Sequence, residues 1–596
     1  MKLIIREYLN GLKERKELDA LLPELLLQMG FNVLTKPMIG VRQDGVDIPA
    51  VGKLDDDSQE SLWLFTVKSG NLDRKNWDGG NDQDVRPSVN EIIDVYIPAK
   101  IASEHKDLPI KIIVCVGGEI AENVHQNCTS AFSVIMNKNP NVEIEIWNGE
   151  KLALYIEKFL LNESIVHGDA ENIELIRSLL RKSLALFDHP DQSHEYFKKI
   201  TLLLLDELKV VKEKKSKDQR VLQNLRRLYL SLWILYIWGK GENNIESSYL
   251  SSEFVLLHVW DVIKQDYRGS KKAQKEISQI YDKLINLHCE ISAEYFQKIE
   301  LSSHKEFELS LSTKIDCPIA LNQKLYDVIG RLAMLGLWKY RVYIQSNKDL
   351  QILEEMKNIH QTIGNVIKHN PILNSPVSDW NFIEISLVYL FCTKNELITA
   401  DNFISAWLEK MLSQIIWCLD HKNLHPCIYS DYESLYFYFN KEIYKTEKEE
   451  FFKDATAASF LYPYLLLMFA LLEKRESYND IKEIQKEILS ESTWQIWVPD
   501  ETSENNFFTN QDIHGLAVTD LFWKNDSDLV PSRTKEAKDL LEKLFVDNIS
   551  EPDIFNGLSA VEKEVEPLLL TASRYYRMPV ALEFFRKMVD TNKPIQ

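Results

Sequence analysis

Two kinds of hydrophobic spacing divide this chain near residue 160. Before that point, short apolar runs with alternating faces predict strands, and helix-like segments separate them. After it, apolar residues recur every three or four positions, which predicts helices. The pattern therefore predicts an α/β N-terminal domain, with a mixed sheet flanked by helices, followed by a large all-α region. The predicted domains are 1–160 for the α/β part, 161–490 for an irregular helical array, and 491–596 for an aromatic loop region with C-terminal helices.

Ten segments after residue 160 carry the helical period. They are 171–185, 194–215, 219–238, 252–264, 272–289, 321–345, 350–367, 383–392, 402–419 and 457–473. No fixed repeat period links them, so the prediction is an irregular array rather than a repeat solenoid. Residues 490–535 are aromatic but lack a helical period, which indicates a long structured loop or an interaction surface. Helices are expected again near 533–545 and 559–591.

The segment Leu62–Lys68 predicts a strand in which Thr66 and Lys68 share one face. Residues 48–53 are expected to pair with it across a polar loop at 55–58, which brings Asp47 and Lys68 to neighbouring strand ends. A carboxylate beside a lysine suits phosphodiester hydrolysis. Mg²⁺ is held by one or two carboxylates plus substrate phosphates, and the ion and the lysine together offset the charge that builds on phosphorus.

This arrangement resembles the PD-(D/E)xK restriction-endonuclease-like superfamily, particularly its Mrr-like branch. The pattern is an aspartate in Gly45-Val46-Asp47-Ile48, a spacer, and a hydrophobic strand that ends in x-x-Lys at Lys68. Three other segments agree with that branch: a leucine-rich helix that ends at Gly30-Phe31, an apolar strand at 110–116, and a closing strand and turn at 142–152. The resemblance covers about the first 160 residues and implies a restriction-endonuclease-like fold there.

The resemblance also implies a site. Its catalytic residues would be Asp47, Lys68, Thr66 and Asp19, and a Mg²⁺ or Mn²⁺ ion would be held by Asp47, the Val67 carbonyl and Asp19. Thr66 departs from the family, which has Glu or often Gln at that position, so it supplies no charged ligand. Pro23 is expected to kink or restart the opening helix, because proline lacks the N–H that would bond the Asp19 carbonyl. Glu24 is then the alternative to Asp19.

A polar stretch at 69–88 follows the strand and predicts a loop beside this site. Arg74, Lys75 and Arg86 are expected to pair with nucleic-acid phosphates, while Trp77 stacks on a base or packs against a sugar. The alternative is a solvated loop with a tryptophan in the core.

The charge of the chain limits how it can meet DNA. The net charge is −20, and residues 1–160 contain 18 Lys and Arg against 25 Asp and Glu. Because counterion release from phosphates drives most non-specific affinity, contact with DNA must be local, and a partner is expected to supply positive surface.

The chain contains neither a Walker phosphate loop nor a Gly-x-Gly-x-x-Gly motif at a strand-to-helix turn, so ATP binding through these motifs is not expected.

The expected function is that of a metal-dependent endodeoxyribonuclease acting on double-stranded DNA. By architecture, a nuclease head on a helical body is similar to effector subunits of bacterial anti-phage complexes, including Lamassu-type systems. The nuclease would be restrained until protein partners supply ATPase activity and sense foreign DNA. The alternative is a non-catalytic adaptor or scaffold whose degenerate nuclease fold binds DNA or partner proteins. The Asp47 and Lys68 pair favours the nuclease, and Thr66 favours the adaptor.

Seven cysteines lie scattered without disulfide-framework spacing, and no signal-peptide pattern opens the chain. A reduced cytoplasmic location is therefore expected, and no apolar run is long enough to cross a membrane.

On distance alone, a zinc site could form from two cysteines and two histidines, namely Cys418, His421, His425 and Cys427. Their spacing is not a standard one, and Cys418 more simply closes an apolar helix.

Overall fold

The computed structural model describes residues 6, 9, 18–35, 44–54, 57, 59–81, 84–160, 170–210, 214–264, 271–394, 397, 403–421, 426–431, 433–436, 448–498, 508, 516–518, 566–581 and 584–585. The chain divides into two compact units. The first comprises Met1–Val255 and Asp266–Leu287, and the second comprises Leu256–Gln265 and His288–Gln596.

A five-stranded mixed sheet forms the centre of the N-terminal part. Its strands lie side by side in chain order: β1 (Asn32–Val33), β2 (Ile48–Gly52), β3 (Ser61–Lys68), β4 (Ile110–Val116) and β5 (Val142–Trp147). β2 runs antiparallel to both β1 and β3, whereas β3, β4 and β5 are parallel. In this register Ile48 lies opposite Phe65, and Lys68 lies opposite Val116. β3 is thus the central strand, between an antiparallel and a parallel neighbour.

Helices flank the sheet. They are α1 (Asp19–Gln28), α2 (Arg74–Asp78), α3 (Val85–Glu91), which continues through a π-helical turn (Ile92–Tyr96) into α4 (Ile97–Lys100), α5 (Glu122–Lys138), and α6 (Gly149–Tyr155) with a π-helical turn at Ile156–Leu160. On one face of β3, Leu62 and Leu64 share a core with Val89 of α3 and Phe132 of α5. On the other face the Trp63 ring meets Phe31, at the end of α1, with centroids 5.1 Å apart.

The opening helix continues through Pro23. The predicted restart at that proline is therefore wrong. Leu21, Leu22, Leu25 and Leu26, on both sides of the proline, are buried, so packing stabilises the helix in spite of the missing main-chain hydrogen bond.

The loop predicted at 69–88 is also wrong in part, because it contains α2 and the start of α3. Two aspartates order this polar stretch. Asp73 caps α2 by accepting a hydrogen bond from the Asn76 amide at 2.8 Å. Asp84 accepts hydrogen bonds from the amides of Gly79 at 2.7 Å and Asn81 at 3.0 Å, immediately before α3. The Asp73 side chain thus replaces a main-chain partner that the start of α2 lacks, whereas Asp84 holds the turn between α2 and α3.

The rest of the chain is mostly helical. Its α-helices are α7 (Ala170–Ala185), α8 (Pro190–Val210), α9 (Lys214–Gly241), α10 (Glu246–Lys264), α11 (Lys271–Ser302), α12 (Glu308–Ser312), α13 (Pro318–Gln345), α14 (Leu350–His369), α15 (Phe382–Cys392), α16 (Phe403–His421), α17 (Lys448–Ala455), α18 (Leu461–Leu471), α19 (Arg475–Glu483) and α20 (Glu566–Tyr576). All ten predicted helical segments overlap one of them. The coarse prediction, a mixed sheet flanked by helices and then a mostly helical region, is confirmed.

Short strands occur in the region predicted to be an aromatic loop and at the start of the helix predicted at 457–473. β6 (Ala458–Ser459) pairs with β7 (Thr493–Trp494), and β8 (Ile496–Val498) pairs with β9 (Leu516–Val518). The helix expected at 533–545 lies outside the described residues. None of the helices that the structure describes is both long enough and apolar enough to span a bilayer.

Candidate active site

The turn that precedes β2 fixes the position of Asp47. Asp44 and Gly45 both have positive φ, 49° and 81°, and a Cβ at Gly45 would lie 2.3 Å from the Ser88 carbonyl oxygen of α3. Only glycine allows the turn to approach α3 this closely. Asp44 is buried and pairs with Lys100 of α4. α3 and α4 therefore hold the turn in place just ahead of Asp47.

Asp47 bonds to β3 through its main chain and its side chain. Its amide donates to the Phe65 carbonyl at 2.8 Å, and its Oδ2 accepts from the Val67 amide at 2.7 Å. The N–H and C=O of one residue in an antiparallel pair point toward the same neighbouring strand. The Val67 carbonyl therefore also points toward the side on which Asp47 lies. The structure thus brings Asp47 and Val67 together, with Lys68 as the next residue.

The Asp47 carboxylate lies close to the interior of the sheet. Cys115 of β4, in register with Val67, is fully buried. Burial, and secondarily the nearby Asp47 carboxylate, raise the pKa of the Cys115 thiol. A neutral thiol cannot serve as a metal-binding thiolate or nucleophile. The half-buried Asp47 charge is the kind that a cation or a positive side chain stabilises.

Lys68 ends β3 at the edge where the parallel strands finish. The Gly117 amide, directly after β4, donates to the Lys68 carbonyl at 3.4 Å, and the Gly118 amide donates to the Gly70 carbonyl at 2.9 Å. Lys68 is half-buried and shares its face of the strand with Thr66. The carboxyl ends of β3 and β4 are therefore held together beside Asp47.

Asp19 lies at the same end of the sheet. The residue before it, Leu18, is buried, and its Cδ2 lies 3.7 Å from the position that a Cβ on Gly117 would take. Because the Gly117 amide bonds to Lys68, the first turn of α1 reaches the strand end that carries the lysine. Asp19 is half-buried in that turn.

Glu24 does not take part in this arrangement. It is 5% exposed, forms an ion pair with Lys283 of α11, and its Oε2 lies 3.7 Å from Arg226 Nε of α9. The alternative that placed Glu24 in the site is therefore wrong. Its carboxylate is used to join α1 to two later helices of the same unit.

The donor set at the strand end is small. In the described part of the chain, no three His, Cys, Asp or Glu side chains are grouped so that they could hold a metal ion. Thr66 is 1% exposed and offers a hydroxyl rather than a carboxylate. The available donors are the Asp47 carboxylate and the Val67 carbonyl, with Asp19 at the same end. Mg²⁺ usually keeps several waters and takes one or two carboxylates plus substrate phosphates, so a set of this size would hold the ion only together with water and substrate oxygens.

The four residues predicted to contact nucleic acid have different surroundings. Trp77 is 5% exposed and packs edge-on against Phe132, with centroids 5.6 Å apart, so the prediction that it stacks on a base is wrong. Arg86 forms an exposed ion pair with Asp78 at 2.6 Å. Arg74 and Lys75 are exposed on α2.

Sequence reasoning missed a polar cluster at the same strand end, centred on Glu119. Arg6 lies 2.9 Å from Glu119 Oε1, and Asn148 Nδ2 donates to Glu119 Oε2 at 3.3 Å. The Glu119 amide donates to Asn71 Oδ1 at 2.8 Å. The signal in the sequence was Glu119 itself, which follows an apolar strand and two glycines and so lies where parallel strands end.

The possible zinc site receives no support from the described residues. Cys418 and Cys427 are buried, and Cys427 Sγ donates to the Val377 carbonyl at 3.3 Å. His421 Nδ1 lies 2.8 Å from the carbonyl oxygen of Trp417, and His425 lies outside the described residues.

Comparisons of this chain with protein-family models, with curated proteins and with solved structures each found no match.

Proposed function

We propose that this chain is a Mg²⁺-dependent DNA endonuclease whose α/β part is of the PD-(D/E)xK, Mrr-like type. The observation that carries the proposal is the hydrogen bond from the Val67 amide to the Asp47 carboxylate, one residue before Lys68. It places an acid, a main-chain carbonyl and a lysine at one strand end of a mixed sheet. These are the groups that metal-assisted phosphodiester hydrolysis uses.

Asp47, the Val67 carbonyl and Asp19 would hold the Mg²⁺ or Mn²⁺ ion, which when bound polarises the phosphate and makes water a better nucleophile. Lys68 would place its positive charge beside the phosphate oxygens, where negative charge builds in the transition state. The Val67 amide fixes the direction of the Asp47 carboxylate before substrate arrives, so no reorganisation is needed at that group. Arg74 and Lys75 would contact the DNA backbone and hold its register.

The net charge of the chain supports a role inside a complex. At −20, the protein as a whole repels DNA, and the exposed cations of α2 are few. Partners that sense foreign double-stranded DNA and hydrolyse ATP would bring the nuclease to its substrate, as in bacterial anti-phage effector complexes. The helical remainder of the chain offers the surface for such partners.

The second candidate is a non-catalytic adaptor. Thr66 favours it, because this buried position supplies no carboxylate and leaves fewer acidic ligands than most PD-(D/E)xK sites have. Such an adaptor would keep the sheet and its flanking helices as a surface for binding DNA or partner proteins, without hydrolysis.

Plasmid cleavage distinguishes the two candidates. The purified chain, alone and with the proteins encoded beside it, is incubated with supercoiled plasmid and Mg²⁺ or Mn²⁺, and nicked and linear products are measured. Asp47→Ala and Lys68→Ala are each expected to lower cleavage by about 100-fold or more. Asp107→Ala and Lys106→Ala are the matched controls, since both residues are exposed in the same α/β part.

Two outcomes would count against the nuclease. Cleavage that is equal in wild type and in both site variants would remove the proposed site. No cleavage with either metal and with every partner tested, from a chain that still binds DNA or a partner, would establish the adaptor.

A further inference from the structure

A groove with a positive rim lies between α14 and α16 in the second unit. Its volume is about 790 Å³, which is within the range of small-molecule binding pockets. Three lysines line it, namely Lys357 and Lys368 of α14 and Lys410 of α16. Among the described residues, no carboxylate lines the groove.

Two of these lysines have no acidic partner among the residues that the structure describes. Lys357 pairs with Glu354, one turn earlier on α14, at 2.6 Å. Within the described ranges, neither Lys368 nor Lys410 has a carboxylate within ion-pair distance. The acid next to Lys410, Glu409, pairs instead with Lys474 at 2.8 Å. The groove therefore offers two ammonium groups to an anionic ligand.

Aromatic rings form one wall of the groove. The rings of His360 and Phe403 lie 5.1 Å apart at an angle of 52°. Gly364 makes room for the Phe403 ring, because a Cβ there would lie 3.0 Å from Phe403 Cδ1. Trp407 Nε1 donates to the Leu373 carbonyl at 3.0 Å, which fixes the adjoining turn of α16. This wall is thus built before any ligand binds.

Polar groups complete the lining. The amide side chains of Gln361, Asn365 and Asn374 face the groove, and they can donate and accept hydrogen bonds. His360 Nε2 is buried, and no hydrogen-bond partner for it lies in the described part of the chain.

We propose that this groove binds a nucleotide, with its phosphates at Lys368 and Lys410 and its base against Phe403. Ammonium groups bind phosphate, aromatic rings stack on bases, and side-chain amides bond to base edges. The same chemistry fits a free nucleotide and an unpaired nucleotide of a nucleic-acid strand. The proposal does not depend on nuclease activity.

Calorimetry on the full chain tests the proposal, with EDTA present so that no metal-dependent site contributes. The probes are ATP, AMP, adenosine, tripolyphosphate and a short single-stranded oligonucleotide. ATP is expected to bind, and adenosine to bind at least about tenfold more weakly, because it lacks the phosphates. An oligonucleotide that binds more tightly than ATP would identify a strand as the source, and ATP binding alone would identify a free nucleotide. Both results support nucleotide binding in the groove.

Charge-reversal variants locate the site. Lys368→Glu with Lys410→Glu is expected to weaken ATP binding by at least about tenfold. Lys305→Glu with Lys486→Glu is the matched control, since both lysines are exposed in the same unit and the change in net charge is identical. Circular dichroism confirms that both double variants are folded. Phe403→Leu is expected to weaken ATP but not tripolyphosphate.

Three results would overturn the proposal. They are no binding of ATP, AMP or oligonucleotide by the wild-type chain, equal ATP affinity in the groove variant and its control, and equal affinity of the wild type for ATP and tripolyphosphate.

Discussion

Asp47 Oδ2 lies 2.7 Å from the Val67 amide nitrogen, across a sequence separation of 20 residues. The acid of the candidate site is therefore held by the main chain of the strand that carries Lys68. A carboxylate fixed in this way is directed by the sheet rather than by a mobile loop. Because the contact is a hydrogen bond that a neutral amide can also accept, a mutation can remove the charge of Asp47 and leave the fold intact.

Asp47→Asn is expected to keep the fold and lose catalysis. The amide oxygen of asparagine can accept the same hydrogen bond from Val67, so the free energy of unfolding should change by no more than about 1 kcal/mol. Removing the charge should lower plasmid cleavage by about 100-fold or more. Urea denaturation and cleavage assays measure the two effects, with Asp107→Asn as control. Unchanged cleavage in Asp47→Asn would show that the charge is not used.

Thr66→Glu is expected to increase metal affinity. It restores the acidic ligand that Thr66 lacks, two residues before Lys68 on the same strand face. The Mg²⁺ concentration for half-maximal cleavage should fall by about fivefold, which corresponds to about 1 kcal/mol. Thr66→Gln matches the size of glutamate without its charge and serves as control. An equal shift in both variants would exclude the charge as the cause.

Gly45→Ala is expected to destabilise the site turn strongly. The residue has φ of +81°, and the added Cβ would meet the Ser88 carbonyl oxygen at 2.3 Å. The expected loss is about 3 kcal/mol of unfolding free energy, from backbone strain and steric overlap together. Gly70→Ala is the control, because Gly70 has φ of +64° but open space around its Cβ position, so about 1 kcal/mol is expected. Similar losses in both variants would show that packing on α3 does not fix the turn.

The sequence was sufficient to predict the elements whose residues are buried on both faces. β4 has the expected bounds because a parallel strand covered on both sides is an almost continuous apolar run. β5 is an edge strand, and there the alternation of apolar residues with Glu143 and Glu145 marks the strand. α2 could not be predicted in this way, since Arg74–Asp78 is polar and owes its order to the Asp73 cap and to Trp77 in the core. These causes are hydrogen bonds and long-range packing, which leave little trace in periodicity.

The candidate site was predictable as far as strand pairing determines it. Antiparallel pairing of β2 with β3 follows from the polar loop between them, and it is enough to bring Asp47 to the end of β3. The role of Glu24 was not predictable. Its partners, Arg226 and Lys283, lie more than two hundred residues later in the sequence, and only the packed helices bring them to α1.

Arg74→Glu with Lys75→Glu is expected to weaken binding of double-stranded DNA. Both side chains are exposed, and each phosphate contact that is lost should reduce the slope of log affinity against log salt by about 1. Trp77→Phe is the comparison within the same helix. Because Trp77 packs on Phe132 in the core, this variant should lose stability but keep its affinity for DNA. Fluorescence anisotropy across a salt series measures the DNA affinity of both variants. If only Trp77→Phe binds DNA more weakly, the Trp77 ring contacts DNA.

His194 is expected to make the first unit sensitive to acid. The ring is 6% exposed, and its Nδ1 lies 3.0 Å from Ser251 Oγ. Burial, with a smaller effect from Lys198, lowers the pKa of His194 to about 3. Between that value and the ordinary histidine pKa, the unfolded chain binds a proton that the folded chain excludes, so stability falls as the pH falls. Between pH 7 and pH 5 this group should lower the free energy of unfolding by about 2 kcal/mol.

Urea denaturation tests this effect of His194. The free energy of unfolding should fall less steeply with falling pH in His194→Gln than in wild type, whereas the exposed His125→Gln should follow wild type. Parallel pH profiles for wild type and His194→Gln would contradict the assignment.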